Sequence, residues 1–470
     1  MRLDASTARR LPSEVELPVY ARAEQRIGLV HLGLGAFHRA HQAVYTDDAM
    51  NAGDRDWAIA GVSLRAAGVR DLLAPQDGLY TVTSRDGERN PVRLIGAVAR
   101  VIVAPEDPVA VFAVLAAAST QIVTMTVTEK GYHRTSDGGL DVIADDVAAD
   151  LSGVPIPRTI YGQLGAALAA RRNAGHDGLT LVCCDNLANN GEQLARLLGE
   201  FLERRDPGLA RWVRDECACP ATMVDRIVPA STAAFLDRTA SRIGMRDEAA
   251  IATEPFRQWV IEDRFAGLRP RWEAGGAEFV ADVRAYETMK LRMLNGAHSA
   301  LAYLGLERGH VFVHEAIEDP AIRPLVMRLM SEEAAQSLEP AVGRDLGRYA
   351  DALLVRFANP ALGHRLAQIA MDGSQKIPQR WLATLRVRSA AGHPCPAILE
   401  ALAAWIVHVR GGREPVEDPA AESLARLWRE AGKVGITAAL FGPNGRFAAD
   451  WCAEARDQSV LRDAIARRVA

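Results

Sequence analysis

Hydrophobic and polar positions along the chain fall into two regimes. In the first part, short apolar runs alternate with amphipathic stretches; from about residue 285 onward almost every stretch repeats with a helical period. Ile27-Gly28-Leu29-Val30-His31-Leu32 and Trp57-Ala58-Ile59-Ala60-Gly61-Val62 read as buried strands. Runs at 80–84, 92–104 and 121–128, and the run Leu179 to Cys184, continue the same sheet. Helical patterns at 107–118, 159–174 and 192–205 lie between strands, so this alternation predicts a parallel, doubly wound α/β sheet. Residues 1–26 read as an irregular arm on that domain. Between 207 and 284 the pattern is mixed, with extended segments at Met223 to Pro229 and Thr253 to Asp263. Helices are expected near 285–304, 310–334, 346–357, 360–371, 379–389, 396–410, 420–432 and 454–468, interrupted by a loop from Asp372 to Arg380. The expectation is two domains, 1–284 being α/β and 285–470 mostly α-helical.

Composition narrows the function classes. A chain of 470 residues exceeds one ordinary core. Hydrophobic content of 49% and charge of 24% describe a globular protein. A net charge of -4 gives no electrostatic case for nucleic acid or an anionic membrane. No signal peptide and no membrane-spanning apolar run is read. Cys183, Cys184, Cys217, Cys219, Cys395 and Cys452 form neither a disulfide framework nor a zinc spacing, which suits a reducing compartment, with the cytoplasm expected.

The first strand runs into Gly33-Leu34-Gly35-Ala36-Phe37-His38, and helical character follows. A strand, a glycine turn and a helix are the context of a dinucleotide site: Gly33 would allow the tight turn and Gly35 the approach of backbone N–H groups to a pyrophosphate. His38 stands where the usual third glycine would. His38 and His41 form a candidate metal pair, but no third ligand lies near in sequence, so no metal is expected. The second strand ends in Ser63-Leu64-Arg65 with no acid to read a ribose; Arg65 could stack on adenine or meet a 2′-phosphate, leaving NAD and NADP both open. Two further strand ends present polar groups, Thr124 to Thr128 leading to Glu129, and Cys184-Asp185-Asn186. Asn186 is a candidate ligand-binding amide at a strand's carboxyl end, where helix capping is the competing reading.

Tyr286 to Ser299 reads as one helix. At ~100° per residue Lys290, Asn295 and His298 fall within ~140° of one another, and Glu287 lands in the same arc. An amine, an amide, an imidazole and a carboxylate on one face make a site-like group, although such faces also simply meet water. Lys376 and Arg380, four residues apart, read either as a solvated basic helix start or as an anchor for a carboxylate.

These residues resemble the long-chain polyol dehydrogenases, the mannitol dehydrogenase family, over nearly the whole chain. The segments that carry the likeness are Gly33 to Gln42, Thr126 to Tyr132, Cys184-Asp185-Asn186, Met223 to Ile227, Glu254 to Asp263, and Lys290 with Asn295 and His298 at the family's five- and eight-residue spacings. Met289 to Gly296, Leu301 to Gly305 and Met371 to Arg380 look most like the branch that reduces the ketone of the sugar acid fructuronate, with the mannitol-oxidising branch as near neighbour. The resemblance implies a Rossmann-type N-terminal domain, a helical C-terminal domain and metal-free hydride transfer with NAD. It implies Lys290 as acid and base, Asn186 and Asn295 as oxyanion donors, His298 and Asp225 on substrate hydroxyls, Glu287 as a proton relay, and Lys376 with Arg380 on a carboxylate. Gly33, Gly35, Phe37, His38, Arg65, Thr128 and Glu129 would meet the coenzyme. Ala66-Ala67 follow Arg65 where polyol-oxidising members often carry acids, so the coenzyme stays open between NAD and NADP at that position. The expected partner is a small sugar acid or polyol, with no nucleic acid, membrane or obligatory protein partner. A catalytically silent nucleotide-sensing module is the reading from another class.

Overall fold

A computed structural model describes the chain save residues 88, 136, 340–344, 412–414 and 470. It divides into two compact units, Met1–Arg284 and Ala285–Ala470. Among the described residues no helix is long and apolar enough to cross a membrane.

The first unit is built on a five-stranded parallel sheet: β1 (Ile27–Leu32), β2 (Ala58–Ser63), β3 (Val98–Val103), β4 (Ile122–Met125) and β5 (Thr180–Cys183), in spatial order β3-β2-β1-β4-β5. Helices Pro108–Ala116, Ile160–Ala174 and Asn190–Arg205 connect or flank these strands. Their apolar faces bury Val111, Leu115, Leu164, Leu168, Leu194 and Leu198 with the strand residues Val30, Val123 and Leu181. Residues 29–32 of β1 are all buried, as expected of a strand covered on both faces.

Three sequence expectations are corrected here. Tyr80–Ser84 belongs to a separate four-stranded sheet with Val15–Glu16, Val92–Ile95 and Ile251–Thr253. The run 92–104 is likewise two strands in two sheets, broken at Gly96. The Gly96 N–H donates to the buried Asp47 carboxylate at 2.9 Å and its carbonyl accepts from Arg22 Nε at 2.8 Å. Both backbone groups are thereby taken out of any ladder, and the chain switches sheets. The arm is also more than irregular: Leu3, Leu11 and Val15 enter a small core with Leu79, Val92, Leu94, Ile243 and Met245. A three-stranded sheet, Glu278–Val280, Gln258–Glu262 and Thr222–Asp225, completes the unit.

The second unit is helical around one core that includes Leu301, Leu353, Trp381, Leu402, Trp405 and Phe441. Glu333 is buried and accepts from the N–H groups of Ala397 and Ile398, each at 2.8 Å, so a carboxylate caps the positive end of helix Pro396–His408. The expected loop from Asp372 to Arg380 is instead helical: Gly373–Ile377, a π-helical Pro378–Leu382, then Ala383–Ala390. Asp372, at φ +55°, starts it, and Asp418 accepts from both the N–H and the hydroxyl of Ser374. Pro378 lacks the N–H that an α-turn would require, and the helix continues by widening rather than stopping. The helix foreseen at 420–432 runs on to Phe441 through a break at Gly432.

Candidate active site

In the first unit the chain leaves β1 through Gly33 at φ +93°. A Cβ there would lie 2.0 Å from the Thr126 carbonyl oxygen, so the close approach of β1 to the end of β4 admits only glycine. Gly35 precedes the short helix Ala36–Ala40, and a Cβ on it would meet nothing nearer than the Gly33 carbonyl at 3.7 Å. The turn therefore leaves an open cradle at the ends of β1 and β4, the point where the connections diverge to opposite sides of the sheet. Gly33 and Gly35 fit a dinucleotide pyrophosphate by that observation.

His31, on β1, locks the turn from beneath. Thr126 donates its hydroxyl to the Gly33 carbonyl at 2.9 Å, so it accepts from His31 Nε2–H at 2.9 Å; His31 Nδ1 then accepts from the Thr124 hydroxyl at 2.7 Å. Burial holds the His31 pKa down to about 3, so the ring is neutral. His38 lies flat on it, ring centroids 3.4 Å apart and planes 16° apart. That stack closes the helix onto the strand, the task a third glycine performs elsewhere. His41 Nε2 donates to the Gln258 carbonyl at 2.9 Å, and its ring rests on Phe37. Among the described residues no group of three or more His, Cys, Asp or Glu is disposed to hold a metal.

The loop after β4 carries Thr128 and Glu129, both exposed. Thr128 sits at φ +66°, a strained conformation for a β-branched residue. Asp185 sustains it, accepting from Val127 N–H at 2.9 Å, Thr128 N–H at 3.2 Å and the Tyr132 hydroxyl at 2.7 Å. Burial raises the Asp185 pKa while these donors oppose the rise. Asn186 follows, exposed at the carboxyl end of β5. Asp225 is buried at the end of Thr222–Asp225, in the three-stranded sheet rather than the parallel one. Arg65 is exposed beyond β2.

In the second unit the helical reading around Lys290 holds, but its phase does not. Arg284–Met289 is α-helical, Lys290–Asn295 is π-helical, and Gly296–Glu307 is α-helical again. The Gly296 N–H reaches the Leu291 carbonyl, five residues back. In a turn closed by i→i+5 bonds, residues five apart stand one above the other, so Lys290 and Asn295 share a face more closely than ~100° spacing predicts. Lys290 and His298 are each only 7% exposed. The π-turn at Pro378–Leu382 packs against this segment. Trp381 Nε1 donates to the Gly296 carbonyl at 3.0 Å, and Arg380 donates to Ser299 Oγ at 2.8 Å and to the Asn295 carbonyl at 3.3 Å. Lys376 Nζ donates to the Met371 carbonyl at 2.5 Å. Burial drives the His298 pKa well below the ordinary value, and His364, Arg356, Arg380 and Lys290 reinforce the shift. Its imidazole is a neutral hydrogen-bonding group.

Residues 27–274 match the mannitol dehydrogenase Rossmann domain, and residues 282–441 match the mannitol dehydrogenase C-terminal domain. The chain belongs to the mannitol dehydrogenase family. It is 40% identical over 441 residues to D-mannonate oxidoreductase of Escherichia coli (strain K12), covering 92% of this chain and 90% of that protein. Mannitol 2-dehydrogenase of Phaeosphaeria nodorum is 37% identical, with 97% of this chain and 83% of that protein covered. Among solved structures, Pseudomonas fluorescens mannitol 2-dehydrogenase, in a ternary complex with NAD and D-mannitol, has a TM-score of 0.86 at 34% identity, over 100% of this chain and 96% of that one. The chain is thus an oxidoreductase of the mannitol dehydrogenase family, acting on CH–OH groups.

Within this mannitol dehydrogenase-family chain, several residues about the candidate groups went unread in the sequence. His31 is a polar residue in an otherwise apolar buried strand, which was a signal; Trp381 gave none that spacing exposes, and for Thr126 and Asp185 the polar strand ends were read but not their bonds. Gly33→Ala should abolish coenzyme binding and lower thermal stability, because the methyl would collide with backbone and impose φ +93° on a residue with a side chain. Coenzyme titration by nicotinamide fluorescence and a melting curve check it; wild-type affinity would remove Gly33 from the cradle.

Proposed function

We propose that this chain catalyses the reversible NAD-dependent interconversion of D-mannonate and D-fructuronate, with the C5 ketone as the group reduced. The observation that carries this reading is Arg380. A fixed guanidinium bonded to Ser299 Oγ and the Asn295 carbonyl puts a cation beside the face that bears Lys290 and Asn295, suited to a substrate carboxylate. The likeness to D-mannonate oxidoreductase over 92% of the chain supports it.

NAD, cradled by Gly33 and Gly35 with Phe37, His38, Arg65, Thr128 and Glu129 around it, would supply the hydride to the carbonyl carbon as NADH and accept it in reverse. Lys290 gives a proton from its ammonium to the developing alkoxide oxygen, completing the hydroxyl; in the reverse direction the free amine removes that proton. Asn295 donates an amide N–H group to the same oxygen, such a donor typically being worth about 3 kcal/mol of transition-state stabilisation, and the family resemblance gives Asn186 a role of the same kind. His298, neutral, holds a substrate hydroxyl, and Asp225 holds another. Glu287, one turn before Lys290, restores the proton from solvent. Lys376, tethered at Met371, assists Arg380 with the carboxylate.

NAD reduction followed at the nicotinamide band should give kcat/KM for D-mannonate at least about 100-fold above that for D-mannitol, the scale of one charge-assisted contact. Lys376→Met should raise KM for mannonate by roughly tenfold or more and leave that for mannitol alone. A preference for mannitol would overturn the sugar-acid assignment and favour a polyol dehydrogenase.

A further inference from the structure

His364 stands outside every motif so far used, yet it is delivered to the reactive helix by a rigid piece of backbone. Asn359 caps the turn Pro360–Leu362 by accepting from the Ala361 N–H at 3.0 Å, and Gly363, at φ +56°, reverses the chain. The next residues are stapled to a neighbouring strand-like segment: Val313 N–H donates to the His364 carbonyl at 3.0 Å, and Leu366 N–H donates to the Val311 carbonyl at 3.0 Å. Phe312 and Arg365 form the bridge between these two bonds. The His364 ring is therefore presented by a backbone fixed on both sides, an arrangement that preorganises a side chain rather than leaving it to find its place.

That ring meets His298 edge to face, with centroids 5.3 Å apart and planes at 84°. Phe357 also packs on His298, with ring centroids 4.7 Å apart. His298 Nε2 and His364 Nδ1 are both buried, and neither has a hydrogen-bond partner among the described residues. Burying one ring nitrogen without a partner costs roughly 1–3 kcal/mol, and two adjacent ones are a poor way to build a core.

We propose that His364 is a second substrate-binding imidazole, which with His298 grips two hydroxyls of the substrate's polyhydroxy chain. This rests on the reading above that His298 touches substrate. Both rings are held neutral by burial, so each can offer a donor or an acceptor. A hydroxyl answers either, because it donates and accepts at once, whereas a carboxylate accepts only. The pair thus reads the hydroxylated part of the chain and leaves the acid group to the cations.

The test uses the full-length protein with NAD and either D-mannonate or D-mannitol. His364→Phe keeps a ring against His298 without its nitrogens and should raise KM for the preferred substrate roughly 10- to 100-fold. His364→Asn, whose amide can stand where Nδ1 stands, should remain within about threefold of wild type by the same reasoning. NAD affinity, titrated by fluorescence, should not move in either variant. On the wild-type protein, two of the mannonates lacking a single hydroxyl should bind at least about tenfold more weakly, and the phenylalanine variant should be indifferent to one of those two losses. Should mannitol be preferred and its KM rise in the same way, the sugar-acid reading falls and His364 keeps its role. An unchanged KM in His364→Phe overturns the proposal, and so does a wild-type protein indifferent to every single hydroxyl deletion, which also decides the matter should the variant not fold.

Discussion

Lys290→Ala should lower kcat by roughly 10²–10⁴-fold, the usual contribution of a positioned general acid, while NAD affinity stays at the wild-type value. Lys290→Arg should be as inactive as alanine, because a guanidinium keeps its charge and cannot hand over a proton at working pH. The pair of variants separates proton transfer from mere positive charge: a site that only needed a cation would be rescued by arginine. Neither His298 nor Arg380 substitutes for it. His298 is held neutral by burial and by the cations around it, so it carries no spare proton to give as an imidazolium. Arg380 is committed to Ser299 and the Asn295 carbonyl and, like any arginine, does not titrate. Steady-state rates at the nicotinamide band and fluorescence titration of coenzyme supply both readouts. A kcat within tenfold of wild type in the alanine variant would take Lys290 out of the chemistry.

Much of this arrangement was legible from residue order because it is local. The glycine turn follows its strand directly, and the parallel sheet announces itself through alternating strand and helix patterns. Lys290, Asn295 and His298 lie on one helix, so their mutual closeness is a matter of spacing alone. What stayed hidden was set by long-range hydrogen bonds. The split of 92–104 depends on Asp47 and Arg22 taking both backbone groups of Gly96, and nothing in the apolar run records that. The π-turn at Lys290–Asn295 is equally silent, since Lys, Leu, Arg and Met all favour an ordinary α-helix. Its widening nonetheless tightens the very group that the spacing had picked out. The stretch from Asp372 to Arg380 misleads for a related reason: Gly, Ser and Pro signal a loop, but Asp418 and the wide turn after Pro378 keep it helical. His364 is missed because its neighbour His298 is 66 residues away in sequence and meets it only through the Gly363 reversal.

The nest of histidines under the glycine turn should make the first unit labile to mild acid. Burial holds His31 and His41 near 3 and His38 well below its ordinary value. In the unfolded chain all three titrate near 6.5. As pH falls below 6.5, the unfolded chain therefore takes up protons that the folded unit refuses, so stability is intact above 6.5 and is lost progressively below it. His31 and His41 each contribute about 1.6 kcal/mol of loss between pH 6.5 and 5, about 3 kcal/mol together, and His38 adds to it in the same direction, a large part of the whole stability of many domains. Asp47, Asp185 and Asp247 act in the opposite sense: burial raises their folded pKa values, so they take up protons in the fold first and offset part of the loss as the acid range is reached. Urea unfolding followed by the fluorescence of Trp259, which packs beside His41, and of Trp272, which packs on Trp259, should show a midpoint that falls steeply between pH 6.5 and 5. His41→Gln, which can keep the bond to the Gln258 carbonyl, should shallow that dependence by about one proton. A midpoint independent of pH over this range would mean that the folded rings accept protons after all, and the neutral lock on Gly33 would have to be abandoned.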